Sequence, residues 1–90
     1  MINDVLRAIA EPRRREILRL IQFDELAAGD IAAHFEISRP AISQHLKVLI
    51  DTNLVTVRRE GTRRLYRANP SGLADLRQFI EDFWQYHRQS

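Results

Sequence analysis

Residues 28–53, AGDIAAHFEISRPAISQHLKVLIDTN, admit few folds. Ile31 and Phe35 are four apart, on one face of a short helix. Ile42, Leu46, Leu49 and Ile50 follow at i, i+4, i+7 and i+8, the apolar stripe of a longer helix. Ala32 is small where two helices crossing steeply must come close. Between them, Ser38-Arg39-Pro40 marks a helix start, because a proline in the first turn loses no N–H that had a partner. Pro40 also pushes Arg39 off helical angles, so the N-cap is Ser38 or Arg39. The spacing predicts helix, tight turn and second helix over about 28–52. Many such turns carry glycine where this chain has Glu36, which must take a left-handed conformation or alter the turn.

With the stripe turned inward, the opposite face of the second helix shows Arg39, Ser43, Gln44 and Lys47. Arg and Lys suit guanine or phosphate, Gln suits adenine, and Ser suits either. That is a helix-turn-helix with a recognition helix. An ordinary helical hairpin with a solvated polar face has the same pattern, so the flanking sequence must decide.

The charge distribution favours nucleic acid. The chain has 90 residues and a net charge of +2, but residues 36–69 alone carry six Arg and one Lys against Glu36, Asp51 and Glu60. The segments on either side are each slightly acidic. The positive excess lies where a polyanion footprint belongs. At 44% hydrophobic and 29% charged, the composition is that of a globular protein. No apolar run approaches the ~20 residues of a membrane span, and Met1-Ile2-Asn3-Asp4 leads into a polar helix rather than a signal peptide, so a cytoplasmic location is expected. Without cysteine there is neither a disulfide framework nor a thiolate metal site. A single domain over 1–90 buries little core of its own, which a dimer would relieve.

Asn3 or Asp4 is expected to cap a first helix ending near Ala10, its apolar side being Ile2, Val5, Leu6 and Ile9. Glu11-Pro12 breaks it, and a second helix spans about 13–22 with Ile17, Leu20 and Ile21 as its stripe and Leu18 off it. Arg13, Arg14 and Arg15 crowd the first turn of that helix, where the macrodipole disfavours cations. A bound phosphate would explain them, as would a solvated run helped by Glu11 and Glu16. Residues 23–26 link to the helix-turn-helix. After it the apolar period changes to two over 54–59, Gly61 provides a turn, and 63–68 return as a partner strand. Val55, Val57, Tyr66 and Ala68 are expected to face the core. Arg58, Arg59, Arg63 and Arg64 surround the tip, so the hairpin (about 54–68) has the form of a wing lying along DNA. A charged edge that blocks aggregation has the same composition. The last helix, about 72–88 with Ser71 as its cap, carries Leu73, Leu76, Phe79, Ile80, Phe83, Trp84 and His87 at helical spacing. Part of this face should pack on the first helix (about 3–10). The remainder marks an interface, here a two-fold dimer through Leu6 and Ile9 with Leu76, Phe79, Ile80, Phe83 and Trp84.

The fold class read from these elements is mainly α with a small β-hairpin (α+β), four helices, two strands and a helix. With the segments EPRRREIL (11–18), GDIA (29–32), SRPAISQHLKVL (38–49) and the hairpin ending Leu65-Tyr66-Arg67, nearly the whole chain resembles the ArsR family of winged helix-turn-helix repressors. The resemblance implies a homodimer on double-stranded DNA, each recognition helix in a major groove of an imperfect palindrome, repressing by blocking RNA polymerase. It implies DNA contacts from Arg39, Ser43, Gln44, His45 and Lys47, and from Arg58, Arg59, Arg63 and Arg64 in the wing. His45 matches the family pattern but lies beside the apolar stripe, so contact with DNA and a half-buried structural role both stay open. Metal-sensing members use cysteines before the turn or Asp and His pairs on the last helix. Here there is no cysteine, and His34, His45 and His87 lie on separate elements. No metal or cofactor is therefore expected; only an intersubunit site joining His87 to Glu81 or Asp82 would alter that. The chain looks closer to members without a metal site, some of which repress their own operon.

No Gly-rich phosphate loop, zinc motif or nucleophile elbow supports an enzyme. A protein-interaction scaffold would have a neutral recognition face. A nonspecific nucleic-acid-binding winged helix would use the same charges, but Ser43 and Gln44 favour base readout in B-DNA.

Overall fold

The computed structural model describes residues 1–89, with side chains through Gln85. The elements are α1 (Ile2–Ala10), α2 (Pro12–Leu20), β1 (Leu26–Ala27), α3 (Ala28–Ala32), α4 (Arg39–Asp51), β2 (Val55–Glu60), β3 (Arg63–Ala68) and α5 (Pro70–Gln89). The expected order holds with one addition. Two residues of the supposed link form β1, pairing Leu26 with Tyr66 and Ala27 with Leu65, so the sheet is three-stranded and antiparallel in the order β1-β3-β2. Two residues are too few to show a period, which is why the sequence hides this strand.

Glu11, extended at φ −87° and ψ 120°, ends α1 and caps α2, accepting the Arg13 N–H at 3.1 Å. The caps proposed for α1 are not used, since that helix begins at Ile2 without a side-chain cap. The arginine run has an explanation that the sequence did not offer. Arg14 Nε donates to the Ala8 carbonyl at 2.7 Å, and Arg15 Nη1 to Ile9 and Ala10 at 2.7 and 3.1 Å. The last carbonyls of α1 have no intrahelical partner and carry the negative end of its dipole, so these cations close α1 while opening α2.

Ile17, Ile21, Ile31, Ile42, Leu49 and Leu54 have no exposed surface and form the core with Leu46 and Val55. Each such side chain contributes about 1.5–3 kcal/mol by leaving water. The connection after α3 spans residues 33–38, with Phe35 half-buried against the core. Glu36 does not turn left-handed: among the described residues Asn53, at φ 64°, is the only non-glycine there. A longer connection replaces the tight turn, and no special backbone is needed. Ser38 caps α4, its Oγ accepting the Ala41 N–H at 3.2 Å.

The end of α4 organises the rest. Asn53 N–H donates to Ile50 and Leu54 N–H to Leu49, the paired bonds of a Schellman turn around a left-handed residue. Asn69 Nδ2 then donates to the Asn53 backbone and side-chain oxygens at 3.0 and 3.1 Å. Its own Oδ1 accepts the Ser71 N–H at 3.3 Å, so Asn69 caps α5 where Ser71 was expected. Gly72 sits so close that a Cβ there would fall 1.8 Å from the Asn53 carbonyl oxygen.

Val57, expected in the core, is 42% exposed, while Leu65 on the opposite face is buried. The register puts Val57 opposite Tyr66, beyond the Val55–Ala68 pair that α4 covers. Leu65 instead lies beside Ala27, where β1 and α3 cover it. Past its first turns α5 leaves the core. It flanks α1 across an open cleft of about 510 Å³, bordered by Ile2, Val5, Asp75 and Phe79. Ile80, Phe83 and Trp84 are 55–58% exposed.

Gly72→Ala should lower stability by about 1–3 kcal/mol, because α5 must move off Asn53 to admit a methyl group. Chemical denaturation checks this; an unchanged midpoint would mean that this contact does not hold α5.

Candidate nucleic-acid interface

The buried stripe Ile42, Leu46 and Leu49 leaves one face of α4 to solvent. Arg39, Ser43, Gln44 and Lys47 are exposed there, near the N-terminal end that a recognition helix presents to base edges. The Arg39 guanidinium lies over Gly29 of α3, within 3.4 Å of where a Cβ would stand, so α3 supports it. Lys47 reaches Asp51 at 3.1 Å along its own helix, an exposed pair worth about 0–1 kcal/mol that a phosphate can displace.

His45 points elsewhere. Its side chain is 18% exposed and its Nε2 lies 3.3 Å from Glu11 Oε2, at the α1–α2 corner. It is half-buried rather than exposed with Arg39, Ser43, Gln44 and Lys47.

Gly61, at φ 62°, takes the first central position of the two-residue β2–β3 turn, where a type II′ turn demands glycine. The register separates the four wing arginines into two pairs. Arg59 and Arg64 stand directly opposite one another, and among the described residues neither has an acidic partner. Like charges so placed repel. Arg58 and Arg63 occupy the other face and are tied back. Arg58 donates to Glu25 through Nε and Nη2 at 2.7 and 2.8 Å and to Glu60 at 2.9 Å. Arg63 Nη2 reaches Asp30 at 3.3 Å. The forked Arg58–Glu25 contact joins β2 to the residue before β1 across the sheet, so it sets the wing's posture against the helix-turn-helix. The sequence could not show this, because Glu25 and Arg58 are 33 positions apart.

The hydrogen bonds from Arg58 hold the Glu25 carboxyl below the usual glutamate range, with smaller help from the Arg58 and Arg67 charges. A depressed carboxyl stabilises the fold at pH values above its unfolded pKa and stops doing so as pH falls through the folded one. The clamp is therefore intact at neutral pH and opens only in acid. Carboxyl NMR titration should find the Glu25 midpoint depressed in the wild type and returned to the ordinary range in Arg58→Ala; a normal midpoint in both would remove the clamp.

Of the expected dimer residues, Ile80, Phe83 and Trp84 are exposed and Leu6, Leu76 and Phe79 half-buried. Ile9 packs against the chain's own core. Phe79 and Phe83 meet edge to face at 5.2 Å between centroids, an arrangement aromatic pairs favour. The His87 side chain lies outside the described residues. Among those described, no three metal-ligating side chains gather at one point, and no helix is long and apolar enough to cross a membrane.

Comparison with known proteins agrees with this architecture. Residues 11–57 match the model of the bacterial regulatory protein arsR family. The HTH-type transcriptional regulator Rv2034 of Mycobacterium tuberculosis is 46% identical over 78 residues, covering 87% of this chain and 73% of that protein. The transcriptional repressor SdpR of Bacillus subtilis is 39% identical over 82 residues, 91% of each chain. The homodimeric winged helix-turn-helix DNA-binding domain of Mb0332 from Mycobacterium bovis, a possible ArsR-family regulator, superposes with a TM-score of 0.75 at 32% identity, covering 98% of this chain and 82% of that one. The chain belongs to the ArsR family and is a winged helix-turn-helix DNA-binding transcriptional regulator.

Proposed function

We propose that this protein is a homodimeric repressor that binds a palindromic operator in the bacterial cytoplasm and excludes RNA polymerase from the promoter. The observation that carries the reading is α4: its inner face is wholly buried while Arg39, Ser43, Gln44 and Lys47 stand exposed and unencumbered by other elements, apart from the Arg39 seat on Gly29. Ser43 and Gln44 read base edges; Arg39 and Lys47 hold phosphates or guanine. Arg59 and Arg64 are the wing's contribution, since their mutual repulsion is relieved by a polyanion. Arg58 and Arg63 reach DNA only by leaving their carboxylates, and their role in this reading is to orient the wing. The proteins named above as repressor and as homodimer support the same assignment. No catalytic activity, metal or cofactor enters it.

The dimer forms through Ile80, Phe83 and Trp84, flanked by Leu6, Leu76 and Phe79, which covers an apolar face that a monomer leaves in water. Two-fold symmetry then sets the recognition helices about 34 Å apart, one turn of B-DNA, and the operator mirrors that symmetry.

Binding to a duplex from upstream of the protein's own gene tests this, measured by fluorescence anisotropy against a scrambled duplex over a salt series. The specific duplex should be preferred by at least ~10³-fold. Gln44→Ala should cost about 1–3 kcal/mol on that duplex alone, whereas Arg59→Ala with Arg64→Ala should weaken both and lower the salt slope by about 2. Equal binding of both duplexes by the wild type, after a search of other promoters, would leave a nonspecific nucleic-acid binder.

Trp84→Glu should yield monomers in sedimentation velocity with the fold retained by circular dichroism. A variant that stays dimeric would move the interface off α5.

A further inference from the structure

Glu11 occupies an unusual place. It is the single residue between α1 and α2, it caps α2 through Oε1, and Arg14 and Arg15 hold the preceding carbonyls of α1 around it. Its other oxygen, Oε2, is buried and accepts no aligned hydrogen bond. A buried carboxylate oxygen left in that state is costly, and the polar atom within reach is His45 Nε2 of the recognition helix, 3.3 Å away. Both side chains are largely covered, at 18% and 26% exposure, so water competes weakly for the contact.

We infer that Glu11 is a positioning residue for DNA binding: through His45 it fixes how far the recognition helix is rolled about its own axis, and hence where Ser43 and Gln44 meet the bases. This rests on the proposal that those two residues read DNA. The apolar stripe Ile42, Leu46 and Leu49 holds α4 on the core, but apolar burial is non-directional. A close contact at one point on the helix circumference, from His45 next to Gln44 to Glu11 at 3.3 Å, limits that roll. On a helix about 10–12 Å across, a 10° roll moves a side-chain tip by roughly 1 Å. Productive binding geometry tolerates about 0.5 Å. A small loosening at His45 therefore costs sequence reading while leaving phosphate contacts, and so nonspecific affinity, nearly intact. The link also ties the recognition helix to the α1–α2 corner, so the posture of α1 is felt at α4.

The test uses the intact protein and four variants. Glu11→Ser keeps a good helix cap but is too short to reach His45. His45→Ala removes the other partner, and His45→Gln keeps an N–H at similar reach. The fourth combines Glu11→Ser with His45→Ala. Each is measured against the tightest duplex selected from a randomised library and against a scrambled one, with thermal unfolding in parallel. Glu11→Ser and His45→Ala should each reduce the specific-over-scrambled preference about tenfold, the double variant no further, and His45→Gln should restore most of it. Loss in His45→Ala with full preference in Glu11→Ser would make His45 a direct DNA contact and overturn the inference. Equal losses on both duplexes, tracking a lowered melting temperature, would reduce the pair to fold stability and overturn it likewise. An NMR measurement without DNA separates this from the proposed function itself. The His45 ring resonances should move in Glu11→Ser, and the backbone amides of Ser43 and Gln44 should move together in Glu11→Ser and in His45→Ala; a His45 ring unmoved by Glu11→Ser would sink the link whether or not the protein prefers any duplex.

Discussion

Asn53 is the point on which the architecture turns. Its left-handed backbone stops the recognition helix and directs Leu54 and Val55 into the core as the start of the sheet. Its oxygens then receive Asn69, and its carbonyl packs on Gly72 as α5 sets out. One residue thus joins the three parts that a winged repressor must keep in register: the helix that enters the groove, the wing, and the helix proposed to carry the partner. An asparagine suits the position because it tolerates positive φ better than other non-glycine residues. The contact on Gly72 is backbone against backbone, which leaves little slack between α4 and α5.

Electrostatics divides the basic residues by task. The net charge says only that an anion is welcome. Pairing decides which cations are free to meet it. Arg14 and Arg15 close a helix, Arg58 clamps the sheet, and Arg63 reaches back to Asp30. Arg59 and Arg64 remain as an opposed pair at the tip, and Arg39 lies on the recognition face with Lys47, whose exposed pair with Asp51 a phosphate can displace. Arginines that look equivalent in a charge count differ because acidic groups distant in sequence lie beside some and not others. The wing is accordingly a braced arm with a bare cationic end, suited to following a phosphate backbone without collapsing onto the body of the protein.

A small domain with α5 projecting from it has its core concentrated around α2, α3 and α4. The cleft between α1 and α5 and the exposed Ile80, Phe83 and Trp84 belong to the same end of the molecule. That end carries the aromatic face of α5, while exposed basic side chains lie on α4 and the wing. Segregation of this kind would let the proposed assembly and DNA binding proceed on separate faces.

The sequence by itself determined whatever depends on neighbours a few positions apart. The stripe Ile42, Leu46 and Leu49, the helix start at Ser38-Arg39-Pro40, the glycine turn of the wing and the aromatic face of α5 all follow from local periodicity and backbone chemistry. These established the helix-turn-helix, the hairpin and the terminal helix, and with them the outward set Arg39, Ser43, Gln44 and Lys47. The tertiary structure decided what depends on distant partners. The two-residue β1 exists because β3 offers it an edge. Leu65 is buried and Val57 exposed because β1 and α3 cover one face of the hairpin and α4 only the base of the other. Arg58 turns inward because Glu25 waits across the sheet, and His45 because Glu11 lies at the corner below it. Periodicity is a property of the chain alone, whereas a side chain's partner is chosen by packing, and packing brings together residues that no local pattern connects.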